Sequence, residues 1–135
     1  MITDDTGIKS ILTSAKTIAV VGASPKPWRD SGSIAQFLSE KHYTVYPVNP
    51  KYQEVLGMKC YPDLTALPEK IDIVDIFRAS SEVELVVDEA ILVGAKCVWM
   101  QLGVVNERAA AKAESAGITV IMDRCIAIEY RALMR

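Results

Sequence analysis

The stretch "TIAVVGASPKPWRDSGSIAQFL", Thr17 to Leu38, decides how the rest of the chain is read. Its first five residues are short, apolar and β-branched, the composition of a buried strand. Gly22 then opens a turn holding two prolines, two cations and two serines. From Ser33 the spacing becomes helical, with Ile34, Phe37 and Leu38 on one face and Ser31 or Ser33 in position to cap. A strand, a glycine turn and a helix in that order start a parallel α/β sheet.

The same alternation runs outward in both directions. A helix is expected from Gly7 to Ala15, with Thr6 as cap and Ile8, Ile11, Leu12 and Ala15 on one stripe. "YTVYPV" (43–48) is the second strand, followed by a proline-rich connection to Lys70. "IDIVDIF" (71–77) is the third. Ser81 and Glu84 have capping-box spacing ahead of a helix lined by Val83, Val86, Val87, Ala90 and Ile91, which Gly94 ends. "KCVWMQL" (96–102) is the fourth strand. Asn106 is set to cap a helix whose Val105, Ala109, Ala113 and Ala116 face inward until Gly117. "ITVIM" (118–122) is the fifth strand, and the tail "DRCIAIEYRALMR" has some helical character.

Near-continuous apolar strands joined by helices predict a doubly wound, three-layer, Rossmann-like sandwich. The expected order is 3-2-1-4-5. Asp75 inside the third strand is tolerable with that strand at an edge, and Pro47 predicts that pairing of the second ends near Tyr46.

The 135 residues suit one domain, 1–135, and the composition is that of a globular protein. A net charge of −2 with dispersed lysines and arginines argues against a nucleic-acid binder. The apolar runs are too short to span a membrane, and the N-terminus lacks a secretory pattern. Three separated cysteines and one histidine offer no structural zinc pattern and suit a reducing, cytoplasmic setting. Cys97 falls mid-strand and belongs in the core, whereas Cys60 in the connection is open to exposure.

In doubly wound sheets ligands bind beyond the carboxyl ends of the strands, at the topological switch. The residues just past each strand here are polar, glycine or cationic: Gly22 to Ser33, Asn49-Pro50-Lys51, Arg78 with Ser80 and Ser81, Gln101-Leu102-Gly103, and Asp123-Arg124-Cys125. Gly22 permits close backbone approach, Ser24 brings a hydroxyl, Lys26 and Arg29 bring charge, and the next helix brings free N–H groups. No Walker A motif is present. The G-x-G-x-x-G fingerprint fails at Ser24. The acid that would hold a ribose diol after the second strand is replaced by Asn49-Pro50-Lys51. A cation there suits a phosphate on the ribose, so NAD fits poorly, and NADP meets the charge test but not the glycine test.

The stretches "AVVGASPKPWRDS", "YPVNPKYQEVLGMKCYPDL", "DIVDIFR", "GAKCVWMQLGVVNE" and "GITVIMDRC" resemble the small bacterial and archaeal CoA-binding proteins. Those proteins are similar in fold to the CoA-binding domain of the succinyl-CoA synthetase alpha subunit and of NDP-forming acyl-CoA synthetases. The resemblance runs from Lys16 to Tyr130. It implies CoA or an acyl-CoA as ligand. It also implies binding residues at Gly22, Ala23, Ser24, Pro25, Lys26, Arg29 and Ser31, at Asn49, Pro50 and Lys51, at Phe77 and Arg78, and at Gln101, Leu102 and Gly103. On this reading the first-loop amides meet the pyrophosphate, and Lys51 or Arg29 meets the 3′-phosphate. Three departures stand out: Asp30 where the family often has proline, His42 where it usually has glycine, and Tyr130 where histidine is common.

The function expected is a cytoplasmic CoA- or acyl-CoA-binding carrier, sensor or regulator without a complete catalytic set, as monomer or homodimer. His42, at the wrong end of the sheet, leaves Ser-His-Asp chemistry without a base. One alternative is a thiol-dependent enzyme acting on CoA thioesters or disulfides through Cys125, whose thiolate the neighbouring Arg124 would favour. Another is a protein-interaction module, with a vestigial nucleotide site and Trp28 at its contact surface.

Overall fold

The computed structural model describes residues 1–135. The elements run α1 (Asp5–Ser14), β1 (Thr17–Val21), α2 (Asp30–Glu40), β2 (Thr44–Val48), β3 (Glu54–Val55), β4 (Met58–Lys59), β5 (Ile73–Ile76), α3 (Val83–Val93), β6 (Cys97–Met100), α4 (Glu107–Ser115), β7 (Thr119–Ile121) and α5 (Ile126–Leu133). β1, β2, β5, β6 and β7 form one parallel sheet, and β3 and β4 form a separate hairpin.

Successive strand residues point to opposite faces, which divides the core in two. Ala19, Val21, Val74, Ile76, Val98 and Met100 meet α3 and α4 on one face. Ile18, Val20, Ile73, Cys97, Trp99 and Ile121 meet α1, α2 and α5 on the other. The α/β sandwich with five parallel strands is therefore as the alternation predicts.

The strand order is not. The sheet runs β2-β1-β5-β6-β7, so the five main strands stand in order 2-1-3-4-5 and not 3-2-1-4-5. The expectations for Asp75 and Pro47 fail with it, for separable reasons. The Asp75 strand is central, and Asp75 is fully buried, between Val20 and Trp99 in the register. The proline strand is the edge. Pairing continues past Tyr46, through Val20 with Pro47 and Val21 with Val48. The Pro47 carbonyl faces away from β1 and accepts from Tyr61 N–H at 2.9 Å. A strand residue's N–H and C=O point the same way, so the N–H that proline lacks is no loss to the β1 ladder.

Some local expectations change as well. α1 starts earlier, capped by Asp4, whose carboxylate accepts from Gly7 N–H. No side chain caps α2 or α3. Ser80–Glu82 form a 3-10 turn, so the Ser81–Glu84 box does not close. Asn106 does cap α4, accepting from Ala109 N–H at 2.9 Å. Ala109, Ala110 and Ala113 are its buried residues, while Val105 and Ala116 are exposed. Gly94 ends α3 in the left-handed conformation. His42 takes φ 74° in the α2–β2 turn, which costs about 1 kcal/mol relative to glycine. Cys60 is buried, not exposed, as is Cys97.

Candidate functional site

With this order the topological switch falls between β1 and β5. The loops that diverge there begin at Gly22 and at Phe77-Arg78. Gly22 has φ 90°, and a β-carbon on it would stand 2.3 Å from the Phe77 carbonyl oxygen. No other residue allows the two loops to approach this closely.

The first loop is tied down from inside. Gly22 N–H donates to the Val48 carbonyl at 2.8 Å and Arg29 N–H to the Lys26 carbonyl at 3.0 Å. Ser24 N–H donates to Ser31 Oγ, and Lys26 N–H donates to Ser24 Oγ. Asn49 bridges to the next loop, donating from Nδ2 to the Ala23 carbonyl while Oδ1 accepts from Lys51 N–H, both at 3.0 Å. Ser24, Ser31 and Asn49 are all buried. These three side chains therefore act as braces that hold the loop in one shape.

The charged groups are placed differently. Lys26, Arg29 and Lys51 are exposed, and none forms an ion pair. Lys26 Nζ lies 5.6 Å from the ring centre of the exposed Trp28. Arg78 is held by Glu82 at 2.9 Å and Arg124 by Glu129 at 2.6 Å. Arg29 stands at the N-cap of α2 without a capping bond from its side chain, so the positive end of that helix has no side-chain partner. Asp30 is the first residue of α2, where a carboxylate is favoured by the helix dipole, and that accounts for an acid in a cationic loop.

Pro25 is half-buried beside Lys26, and Pro50 is exposed ahead of Lys51. Gln101 is buried, and its Oε1 accepts from Ile126 N–H at 3.0 Å, seating the start of α5. Leu102 is exposed, and Gly103 donates its N–H to Asp123 at 2.7 Å. Gln101, Leu102 and Gly103 thus lie at the same end of the sheet, on the far side of β5. Cys125 is half-buried at the N-cap of α5 with no hydrogen bond from its side chain. His42 lies at the opposite end of the sheet, in the turn that leads into β2.

A cleft of about 220 Å³ opens beside Gly22. Val21, Val48 and Pro50 form one wall, Pro62 and Asp63 another, and Arg78, Glu82, Leu85, Val86 and Glu89 the third. Sequence reading found Gly22, Pro50 and Arg78 of this set and missed the wall from α3. Its acids are engaged elsewhere: Glu82 with Arg78, Glu89 with Leu64 N–H, and Asp63 with Ala66 N–H. Gly32 was also missed. A β-carbon there would stand 2.3 Å from the Ser24 carbonyl, so this glycine lets α2 start against the first loop.

Comparison with known proteins identifies the fold and the family. YneT of Bacillus subtilis is 40% identical over 123 residues, covering 91% of each chain. A structure from Pyrococcus horikoshii OT3 superposes with a TM-score of 0.95 at 46% identity, covering 98% of this chain and 94% of that one. The ADP-forming acetate–CoA ligase I of Archaeoglobus fulgidus is 40% identical over 74 residues, which are 55% of this chain and 11% of the ligase. Residues 16–131 match the family described as a CoA binding domain. The chain belongs to that CoA-binding domain family.

Proposed function

We propose that the protein binds CoA or an acyl-CoA across the carboxyl ends of β1, β2 and β5, as a cytoplasmic carrier, sensor or regulator. The observation that carries this reading is the arrangement of Lys26, Arg29 and Lys51. Three exposed cations without carboxylate partners lie on the loops after β1 and β2, two of them in the loop that leads into the uncapped N-terminus of α2. CoA matches that pattern because it carries a pyrophosphate and a separate ribose 3′-phosphate.

The amides of Gly22, Ser24, Lys26 and Arg29 are already donated within the protein. The pyrophosphate is therefore assigned to the first turn of α2, where N–H groups and the helix dipole favour an anion. Lys51 or Arg29 takes the 3′-phosphate. A loop braced by Ser24, Ser31 and Asn49 loses little freedom when ligand binds, which favours affinity.

The experiment is a calorimetric titration with CoA and with 3′-dephospho-CoA. A charged hydrogen bond contributes about 1.5–3 kcal/mol, so the native protein is expected to prefer CoA by roughly ten- to a hundredfold. Lys51→Ala or Arg29→Ala is expected to remove most of that preference and leave the melting temperature nearly unchanged. Equal affinity of the native protein for the two ligands would refute the 3′-phosphate assignment.

A further inference from the structure

The β3–β4 hairpin is closed by Leu56 and Gly57, since Val55 pairs with Met58. Both turn residues have positive φ, 49° for Leu56 and 85° for Gly57. Such a two-residue turn favours asparagine or glycine at its first position, because a larger side chain is strained there. Leucine is a poor choice for the turn and is also 42% exposed.

The hairpin has a firm base. Val55 is fully buried, Cys60 N–H donates to the Gln53 carbonyl at 2.9 Å, and the Cys60 thiol donates to the Asn49 carbonyl at 3.5 Å. Asn49 in turn braces the first loop through the Ala23 carbonyl. The tip is thereby held over the start of α2. Leu56 Cδ1 would lie 3.1 Å from a β-carbon at Gly32. An apolar side chain in a strained conformation is thus fixed beside the helix N-terminus and on the same short segment as Lys51. Elsewhere the exposed Leu92 sits on an ordinary helix surface and carries no such strain.

We propose that Leu56 is a ligand-contacting residue, its methyl groups forming the apolar flank of the site for the nucleotide half of the ligand. The inference rests on CoA binding as proposed above, and it adds a specificity residue to that site. Strain retained at an exposed tip suits a side chain kept for contact with a ligand. The phosphates of such a ligand meet the cations and the helix end, and its organic part is then adjacent to Leu56.

Leu56→Asn and Leu56→Met separate this from a packing role. Asparagine suits the turn but removes the apolar flank, and methionine keeps the flank. The melting temperature without ligand and the CoA dissociation constant are measured for both variants and the native protein. Leu56→Asn is expected to melt at or above the native temperature yet bind CoA about tenfold more weakly, with Leu56→Met within about twofold of native. Native affinity in Leu56→Asn, or a loss of affinity that accompanies a lower melting temperature, overturns the inference. A native protein that fails to bind CoA at all defeats the parent reading instead. Native binding with an unaffected Leu56→Asn removes only the role of Leu56.

Discussion

Replacing Asp75 with valine is expected to stabilise the protein by about 1–3 kcal/mol, the cost of a buried polar group left without a partner. For a domain of this length that is a rise in melting temperature of roughly 3–12 °C. Asp75 is fully buried in the central strand, and neither carboxylate oxygen has a hydrogen-bond partner. Its cross-strand neighbours are Val20 and Trp99. Valine suits a strand and an apolar neighbourhood of this kind. The gain should also depend on pH. Burial raises the Asp75 carboxyl well above its ordinary value of 3.8, so the folded state holds this proton more tightly than the unfolded chain does. The stabilisation from that proton is complete below the unfolded pKa and is lost as pH rises toward the folded one. Urea denaturation of the two proteins between pH 4 and pH 8 measures both effects. The stability gap should widen as pH rises across that range. A valine variant less stable than the native protein throughout would show that the carboxyl has a stabilising partner.

Gly22→Ala should have the opposite effect, a loss of about 2–5 kcal/mol. Two costs add. The backbone at φ 90° disfavours any β-carbon, and that carbon would meet the Phe77 carbonyl oxygen at 2.3 Å and its carbon at 3.0 Å. Both obstacles are backbone, which cannot swing aside as a side-chain tip does. Relief requires the loops after β1 and β5 to separate, and those loops bound the cleft and the proposed phosphate site. Denaturant midpoints should fall, and CoA affinity should fall further than loss of folded protein explains. An alanine variant with native stability and affinity would mean that the loops separate at no cost.

How much of this was legible in the sequence depends on what each residue's neighbours are. The five strands were legible because their apolar runs and glycine stops are local. So was the gathering of Lys26, Arg29 and Lys51 at one end, which comes from strand direction alone. The order of the strands was not, because the same alternation fits more than one doubly wound order, and Asp75 and Pro47 were each judged by the cost of burial or lost pairing. Asp75 bears that cost at the centre of the sheet, and Pro47 avoids it by turning its nitrogen outward. Ser24, Ser31 and Asn49 were read as binding residues, and the structure shows them bracing the first loop, Ser24 and Asn49 from loops and Ser31 from the first turn of α2. Whether such a side chain faces a ligand or a backbone amide has no sequence signature. Gly32 was missed because the carbonyl that requires it belongs to Ser24, eight residues earlier. The approach of Leu56 to α2 and of α3 to the cleft was missed because both arise only in the tertiary structure.

The most direct test of CoA binding is a melting-temperature titration of the native protein with CoA, with NAD in parallel. A ligand at about a hundredfold its dissociation constant adds about 2.7 kcal/mol of stability. CoA should therefore raise the melting temperature by several degrees in a saturable way, while NAD at the same concentration leaves it in place. No shift with CoA or acetyl-CoA at millimolar concentration, or an equal shift with NAD, would contradict CoA binding at this site.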